Sequence, residues 1–107
     1  MTESLRQKQS RFARMTAQLI NHATILGYDI TLGHALRSRE EAKRLGFSKS
    51  LHCEKLALDL NLFKNGRFLT STKSHEPLGL YWESIGGTWG GRFNDGNHYS
   101  LEHEGIK

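Results

Sequence analysis

The nine residues from Lys55 to Phe63 alternate leucine with other side chains, and this pattern constrains the fold more than any other part of the sequence. Successive side chains of an extended strand point to opposite faces. One face then carries Leu56, Leu58, Leu60 and Leu62, and the other carries Ala57, Asp59, Asn61 and Phe63. Because the leucine face has to be covered, the pattern predicts a strand with the core on one side and Asp59 facing a cleft on the other.

The segments around this strand show helical and extended patterns in turn. Glycines and a proline mark their ends, and the turn signal Lys64-Asn65-Gly66 connects the strand to a returning partner. In chain order, the predicted elements are a helix over 4–26, a strand over 28–33, a short helix between Ser38 and Gly46, a hairpin over 55–71, a helix over 76–85, a glycine-rich loop and a strand near 98–101. This order predicts a single α+β domain over residues 1–107, with a small antiparallel sheet flanked by helices.

Composition excludes several classes of protein. A single cysteine, Cys53, rules out an intramolecular disulfide and a zinc finger, so a metal site would have to use His, Asp and Glu. A net charge of +4 suits a polyanionic partner, which could be nucleic acid, anionic lipid or an acidic wall polymer. No apolar run is long enough to span a membrane, and the first fifteen residues lack the apolar segment of a secretory signal.

The sequence is rich in histidine, with six in 107 residues. His22, His75 and His103 lie in polar surroundings and are predicted to be exposed on the surface. His34 is interpreted as a turn residue and Cys53 as a small buried thiol. His52 and His98 differ from these, because each lies near an aspartate.

His52 precedes Asp59 by seven residues, and this odd spacing places the two side chains on opposite faces of a regular strand. They can meet only if His52 lies in a loop or bulge that enters the strand. Asp95 and His98 form a second cluster behind the glycine-rich segment WGGRF. A His, Asp and His set would leave an open position on zinc for water. Spacing alone leaves open the alternative that Asp59 pairs with an arginine and that residues 95–97 form an ordinary turn.

Three motifs carry a resemblance to a known family. They are Ser50-Leu51-His52 followed by Asp59, Arg37-Ser38 in a predicted strand-to-helix turn, and Asp95-Gly96-Asn97-His98. In this order and spacing they resemble the zinc D-Ala-D-Ala carboxypeptidases and dipeptidases, which share the hedgehog/DD-peptidase fold. The string WGGRFNDGNHYS is similar to the small phage branch of L-alanyl-D-glutamate endolysins. The match covers about residues 28–100.

The resemblance implies a role for each matching residue. His52, Asp59 and His98 are expected to hold Zn²⁺, with Asp95 as the general base and later the acid toward the leaving amine. Arg37 is expected to hold a substrate carboxylate or to stabilise the oxyanion. The further expectations are that Ser50 contacts the peptide and that Trp89 lines the groove.

The expected function is that of a zinc metallopeptidase that cleaves the peptide stems of peptidoglycan, at the L-alanyl-D-glutamate bond, as a phage endolysin. The alternatives are a D-Ala-D-Ala dipeptidase or carboxypeptidase, and a non-catalytic module that holds zinc and binds the wall. We expect a monomer with no membrane span. No nucleic-acid partner is expected either, because a helix-turn-helix and an aromatic-interleaved basic strand are both missing. Without a secretory signal, synthesis in the cytoplasm and holin-type release to the wall are expected.

Overall fold

The central element of the sheet is the strand that carries the leucines. The structure is a computed structural model that describes residues 2–35, 39–44 and 50–107. Strand β2, Ala57–Lys64, pairs with β1, Asp29–Leu32, along one edge. Its other edge pairs with β5, His98–Ser100, in the first half and with β3, Arg67–Leu69, in the second. The fifth strand, β4, Thr88–Trp89, pairs with β5, and all four pairings are antiparallel.

The two faces of β2 differ as the alternation predicts. Leu56, just before the strand, and Leu58, Leu60 and Leu62 are all buried. They join one hydrophobic cluster with side chains of the helices α1, Leu5–Ile25, and α3, Glu76–Ser84. On the opposite face, Asp59 and Asn61 are only partly buried. The core therefore lies between the leucine face and the helices, and the other face is left for a site.

Helix α1 begins and ends where the sequence predicts. Ser4 and Gln7 form a reciprocal capping box, in which the Ser4 hydroxyl accepts from the Gln7 backbone N–H and the Gln7 side chain accepts from the Ser4 N–H. Gly27 follows the helix at a φ of 91°, a left-handed conformation that glycine adopts without strain. The buried face of the helix consists of Phe12, Met15, Leu19 and Ala23.

The hairpin turn follows the sequence signal as well. Lys64 pairs with Arg67, which leaves Asn65 and Gly66 as the loop. Both loop residues have positive φ, 52° and 76°, as the tight turns that match the twist of a hairpin require.

Three features differ from the predictions or extend them. The segment predicted as a glycine-rich loop contains β4 and a 3-10 turn over Gly90–Phe93. A second 3-10 turn, Lys73–His75, precedes α3. The short helix α2 covers Arg39–Arg44, and its predicted boundaries at Ser38 and Gly46 lie outside the described residues.

None of the helices in the described part of the chain has the length and apolar character that a membrane crossing needs.

Candidate metal centre

His52 lies in the turn that enters β2, not in the strand itself. The turn covers residues 51–55 and contains Lys55 at a φ of 58°. The Ser50 hydroxyl accepts a hydrogen bond of 3.1 Å from the His52 backbone N–H and so fixes the start of the turn. The bend removes the parity conflict, because the His52 side chain is no longer in register with the alternation of the strand.

Two imidazoles flank the Asp59 carboxylate. His98 lies directly opposite Asp59 in the β2–β5 pair, so the two side chains share one face of the sheet. Asp59 Oδ1 is 3.6 Å from His52 Nε2 and 3.6 Å from His98 Nδ1. One ligand atom from each of the three residues lies within 4.8 Å of the others. Strand register and the turn therefore bring together the three residues that the sequence resemblance named.

The two distances from Asp59 Oδ1 to the imidazole nitrogens fit Zn²⁺ better than they fit hydrogen bonds. A separation of 3.6 Å exceeds the usual length of an N–H···O bond. Tetrahedral zinc with bonds of about 2.0–2.1 Å holds its ligand atoms about 3.3–3.4 Å apart, close to the observed value. Two imidazoles and one carboxylate are also a typical donor set for zinc, and they leave a coordination position open. The residues present therefore fit the metal.

The protonation of His52 is set by the chain that covers it. His52 Nδ1 donates to the Ala35 carbonyl oxygen at 2.9 Å. Since a carbonyl can only accept, Nδ1 carries the proton of the neutral ring and Nε2 presents a lone pair toward Asp59. A backbone carbonyl that orients a metal-binding imidazole in this way also raises its basicity.

Two further features concern the ring nitrogens of His98 and the charge of Asp59. His98 Nε2 is buried and has no hydrogen-bond partner within the described residues. The nitrogen that His98 presents to the carboxylates of Asp59 and Asp95 is its other one, Nδ1. Burial acts to raise the pKa of Asp59, but attraction to the imidazoles of His52 and His98, when these rings carry a proton toward it, outweighs burial and holds that pKa well below its ordinary value. The carboxylate is therefore charged at neutral pH.

Asp95 lies at the edge of this cluster without joining its close contacts. Its Oδ2 is 3.9 Å from His98 Nδ1, and its side chain is 52% exposed. The backbone holds the loop in place, since the Asp95 N–H donates to the Gly90 carbonyl at 2.8 Å and the Asp95 carbonyl accepts from the His98 N–H at 3.0 Å. Asp95 is thus a carboxylate beside the ligands that solvent and a substrate can reach.

The remaining predicted residues differ in what the structure says of them. Arg37 lies outside the described residues. Ser50 is half-buried, its hydroxyl is bonded to the turn that carries His52, and a contact with substrate stays a prediction. Trp89 is 3% exposed and not on an open groove wall, because its indole packs against Gly79 and donates to the Gly96 carbonyl at 2.7 Å. It supports the loop that carries Asp95 from beneath.

Some contributors to the site were not predicted from the sequence. The Ala35 carbonyl gives no signal, since every residue has one. Gly90 is needed because a Cβ there would collide with the Asp95 carbonyl and lie 2.7 Å from the His98 Cβ. The sequence signal for Gly90 is the glycine-rich segment, which predicts a loop but no particular contact. Phe93, 45% exposed with its ring 5.9 Å from that of His98, forms an open wall of the site.

The prediction that His75 is exposed is wrong. His75 is 3% exposed, and its Nδ1 lies 2.7 Å from the Tyr99 hydroxyl. The 3-10 turn before α3 directs the ring inward, which polar sequence neighbours cannot show. His22 is only partly exposed because it stacks on Tyr81 at 3.9 Å, and His103, also partly buried, lies 3.3 Å from Lys8 Nζ.

The fold is shared with a solved structure. The L-Ala D-Glu endopeptidase ChiX of Serratia marcescens superposes with a TM-score of 0.70 over 87% of this chain and 79% of its own, at 18% sequence identity. No protein-family model and no curated protein sequence matches the chain. The likeness confirms the fold expected from the sequence, which is α+β with a small antiparallel sheet flanked by helices.

Proposed function

We propose that this protein is a zinc-dependent peptidase that hydrolyses the peptide stems of bacterial peptidoglycan. One observation carries the proposal: His52, Asp59 and His98 converge at the spacing of zinc ligands with Asp95 beside them. The fold is that of an L-Ala D-Glu endopeptidase, which favours the L-alanyl-D-glutamate bond as the target. The resemblance to small phage enzymes supports the biological role of an endolysin.

Each residue of the metal centre would have a separate role in the reaction. Zinc, when bound, would polarise the scissile carbonyl as a Lewis acid and activate a water molecule. His52 and His98 would hold the metal as neutral imidazoles, and Asp59 would supply the one negative charge among the ligands. The fixed tautomer of His52 and the strand register of His98 set the geometry before substrate arrives.

Asp95 is placed to move the proton. Its carboxylate is exposed and lies next to the ligand cluster, so a water molecule between substrate and cluster would be within its reach. Asp95 would accept a proton from that water and deliver it to the nitrogen of the scissile bond, so that the C–N bond breaks with a neutral amine as the leaving group and not an amide anion. A module that only held zinc would need no carboxylate at this position.

Asp95→Asn tests this assignment. The amide cannot accept the proton, so release of fragments from purified peptidoglycan should fall by about 10²–10⁴-fold while zinc stays near one ion per chain. Mass spectrometry of the fragments and elemental analysis of the protein provide the two measurements. Asp29→Asn, which removes an exposed carboxylate from β1, is the matched control.

The fragments also separate the proposed reaction from its alternatives. New D-glutamyl amino termini would identify the L-alanyl-D-glutamate bond, whereas release of D-alanine would indicate a dipeptidase or carboxypeptidase. Full activity of Asp95→Asn, or of protein stripped of zinc, would contradict the proposal.

A further inference from the structure

A basic groove lies at the tip of the hairpin, away from the metal centre. It is a cavity of about 570 Å³ whose charged wall consists of Lys64, Arg67 and Lys73. Tyr28, Leu69 and Ser74 also line it. Strand ends, the hairpin turn and the 3-10 turn before α3 thus bring cations from three parts of the chain to one concave surface.

In the part of the chain that the structure describes, these three cations have no carboxylate partner, whereas three arginines elsewhere do. The paired arginines are Arg11 with Glu3, Arg44 with Glu41, and Arg92 with Glu83. Within the described residues, no carboxylate lines the groove and none forms an ion pair with Lys64, Arg67 or Lys73. Lys64 Nζ lies 4.8 Å from the centroid of the Tyr28 ring, a cation–π contact that holds the ammonium at the groove. Converging unpaired cations in a concave surface create a field that attracts anions.

The groove is separate from the candidate metal centre. Lys64 and Arg67 face each other in the β2–β3 pair and share the face of Leu62 and Leu69, opposite to the face of Asp59. Asp59 and Lys64 are five residues apart in the strand, or about 17 Å. At physiological ionic strength charges interact weakly beyond about 8 Å, so the groove does not act on the metal centre through its field.

We propose that this basic groove is a second binding site for the cell wall, which holds oxyanion groups of a wall polymer on the face of the sheet opposite the metal centre. The proposal rests on the proposed function for the identity of the polymer. Guanidinium and ammonium groups bind carboxylate and phosphate oxygens, and a wall polymer carries such groups repeatedly. Engagement of a second group raises the effective concentration of the polymer at the cleavage site. A nucleic acid fits less well, because Lys64 lies over one face of the Tyr28 ring, the aromatic side chain that lines the groove, and competes there with a stacking base.

Co-sedimentation with purified peptidoglycan tests this site. The assay uses the Asp95→Asn protein, so that cleavage does not destroy the ligand, and adds Arg67→Ala and Lys73→Ala together. We expect the apparent affinity to fall by about tenfold, with a weaker dependence of binding on salt, because two of the three cations are gone. Arg6→Ala with Arg14→Ala is the matched control, since it removes the same charge from a surface cavity on α1 that contains Glu3.

Activity provides the second measurement. In protein with Asp95 intact, the groove variant should hydrolyse a short soluble stem peptide at the rate of the parent and should be slower only on intact peptidoglycan. Equal loss on both substrates would overturn the inference, and so would equal loss of wall binding in the groove and control variants or no loss in the groove variant. Tighter groove-dependent binding of double-stranded DNA than of peptidoglycan would overturn it too.

The source of the oxyanions is resolved by two peptidoglycan preparations. Groove-dependent binding to material stripped of phosphate polymers by acid would assign the stem carboxylates, and binding only to unstripped material would assign phosphodiesters. Either result supports the site. Because sedimentation needs no turnover, groove-dependent binding without hydrolysis would contradict the proposed function alone, and hydrolysis with groove-independent binding would contradict this inference alone.

Discussion

His98 and Tyr99 are neighbours on β5 and lead into two contrasting regions. His98 points to the face of Asp59, and Tyr99 points to the core, where its hydroxyl meets His75 Nδ1 at 2.7 Å. Both histidines are buried, at 8% and 3% exposed. His75 and Tyr99, which we call the core-face pair, form a hydrogen bond of ordinary length, whereas His98 Nδ1 is 3.6 Å from the Asp59 carboxylate. Burial alone therefore does not distinguish the two histidines, but the charge and distance of the partner of each do.

The two regions also differ in the charge that their side chains carry at neutral pH. Burial lowers the pKa of His75 and raises the pKa of Tyr99, so the core-face pair is neutral at neutral pH. On the site face, attraction to the two imidazoles, when they carry a proton toward Asp59, more than offsets its burial and lowers the pKa of the carboxyl group. One region avoids charge, and the other concentrates a negative charge where a cation would bind.

The largest expected effect comes from the charged ligand. Asp59→Asn removes the anion from the ligand set, and we expect loss of stoichiometric zinc and a fall in activity of roughly 10³-fold or more, since several kcal/mol of metal binding and transition-state stabilisation depend on it. His75→Phe, on the other face, should keep one zinc per chain. Elemental analysis and fragment release measure both variants. If Asp59→Asn retained zinc and activity, or if His75→Phe lost its zinc, the contrast between the two regions would not hold.

A smaller effect is expected from Gly90→Ala. The added Cβ would collide with the Asp95 carbonyl and crowd His98, which displaces the loop between them. A displacement of about 1 Å at a catalytic group can cost on the order of 10²-fold in rate. Gly87→Ala is the control, because its Cβ would collide with Trp82 in the core instead. Each substitution should lower the free energy of unfolding by about 1–3 kcal/mol. When activity is assayed at a temperature well below the melting temperatures of both variants, only Gly90→Ala should be less active than the parent. Equal losses of activity in both variants would show that the loss comes from lower stability and not from displacement of the Asp95 loop.

The smallest expected effect is a pH dependence of stability from His75. Its folded pKa lies below the unfolded value of about 6.5, so below that pH the unfolded state binds a proton that the folded state does not. The free energy of unfolding should therefore fall by up to about 1.4 kcal/mol per pH unit as the pH drops below about 6.5, and should be unaffected by this group above it. Urea unfolding of the parent and of His75→Phe, both treated with chelator, measures the difference. If the free energy of unfolding changed equally with pH in the two proteins, His75 would not be the cause of the pH dependence.

Much of the fold was predictable because it follows from local pattern. The alternation of leucines, the helical pattern of α1 with the glycine after it and the Asn65-Gly66 turn each act over a few residues, and the structure has the strand, the helix and the hairpin they predict. Strand β4 was missed because it is two residues long and lies among glycines, which gives no alternation to detect. It forms because Trp89 is anchored in the core and pairs with Tyr99.

The candidate site was predicted in part. The parity argument placed His52 before the strand, where it lies in the turn, and the pattern named the cluster of His52, Asp59 and His98. The roles of Arg37, Ser50 and Asp95 remain predictions. Trp89 and His75 show the limit of such reasoning, because the side of the chain on which an isolated aromatic or histidine lies depends on contacts with distant residues.

The sequence by itself determined which faces of the chain are apolar, where helices and turns begin and end, and which donor types are available for a metal, because these depend on residue type and short-range spacing. The tertiary structure decided that Asp59 and His98 lie opposite each other, that Ala35 fixes the tautomer of His52, and that His75 is a buried partner of Tyr99. It also brought Lys64, Arg67 and Lys73 into one groove. Each of these depends on strand register and on packing between residues far apart in the chain, which short-range patterns do not specify.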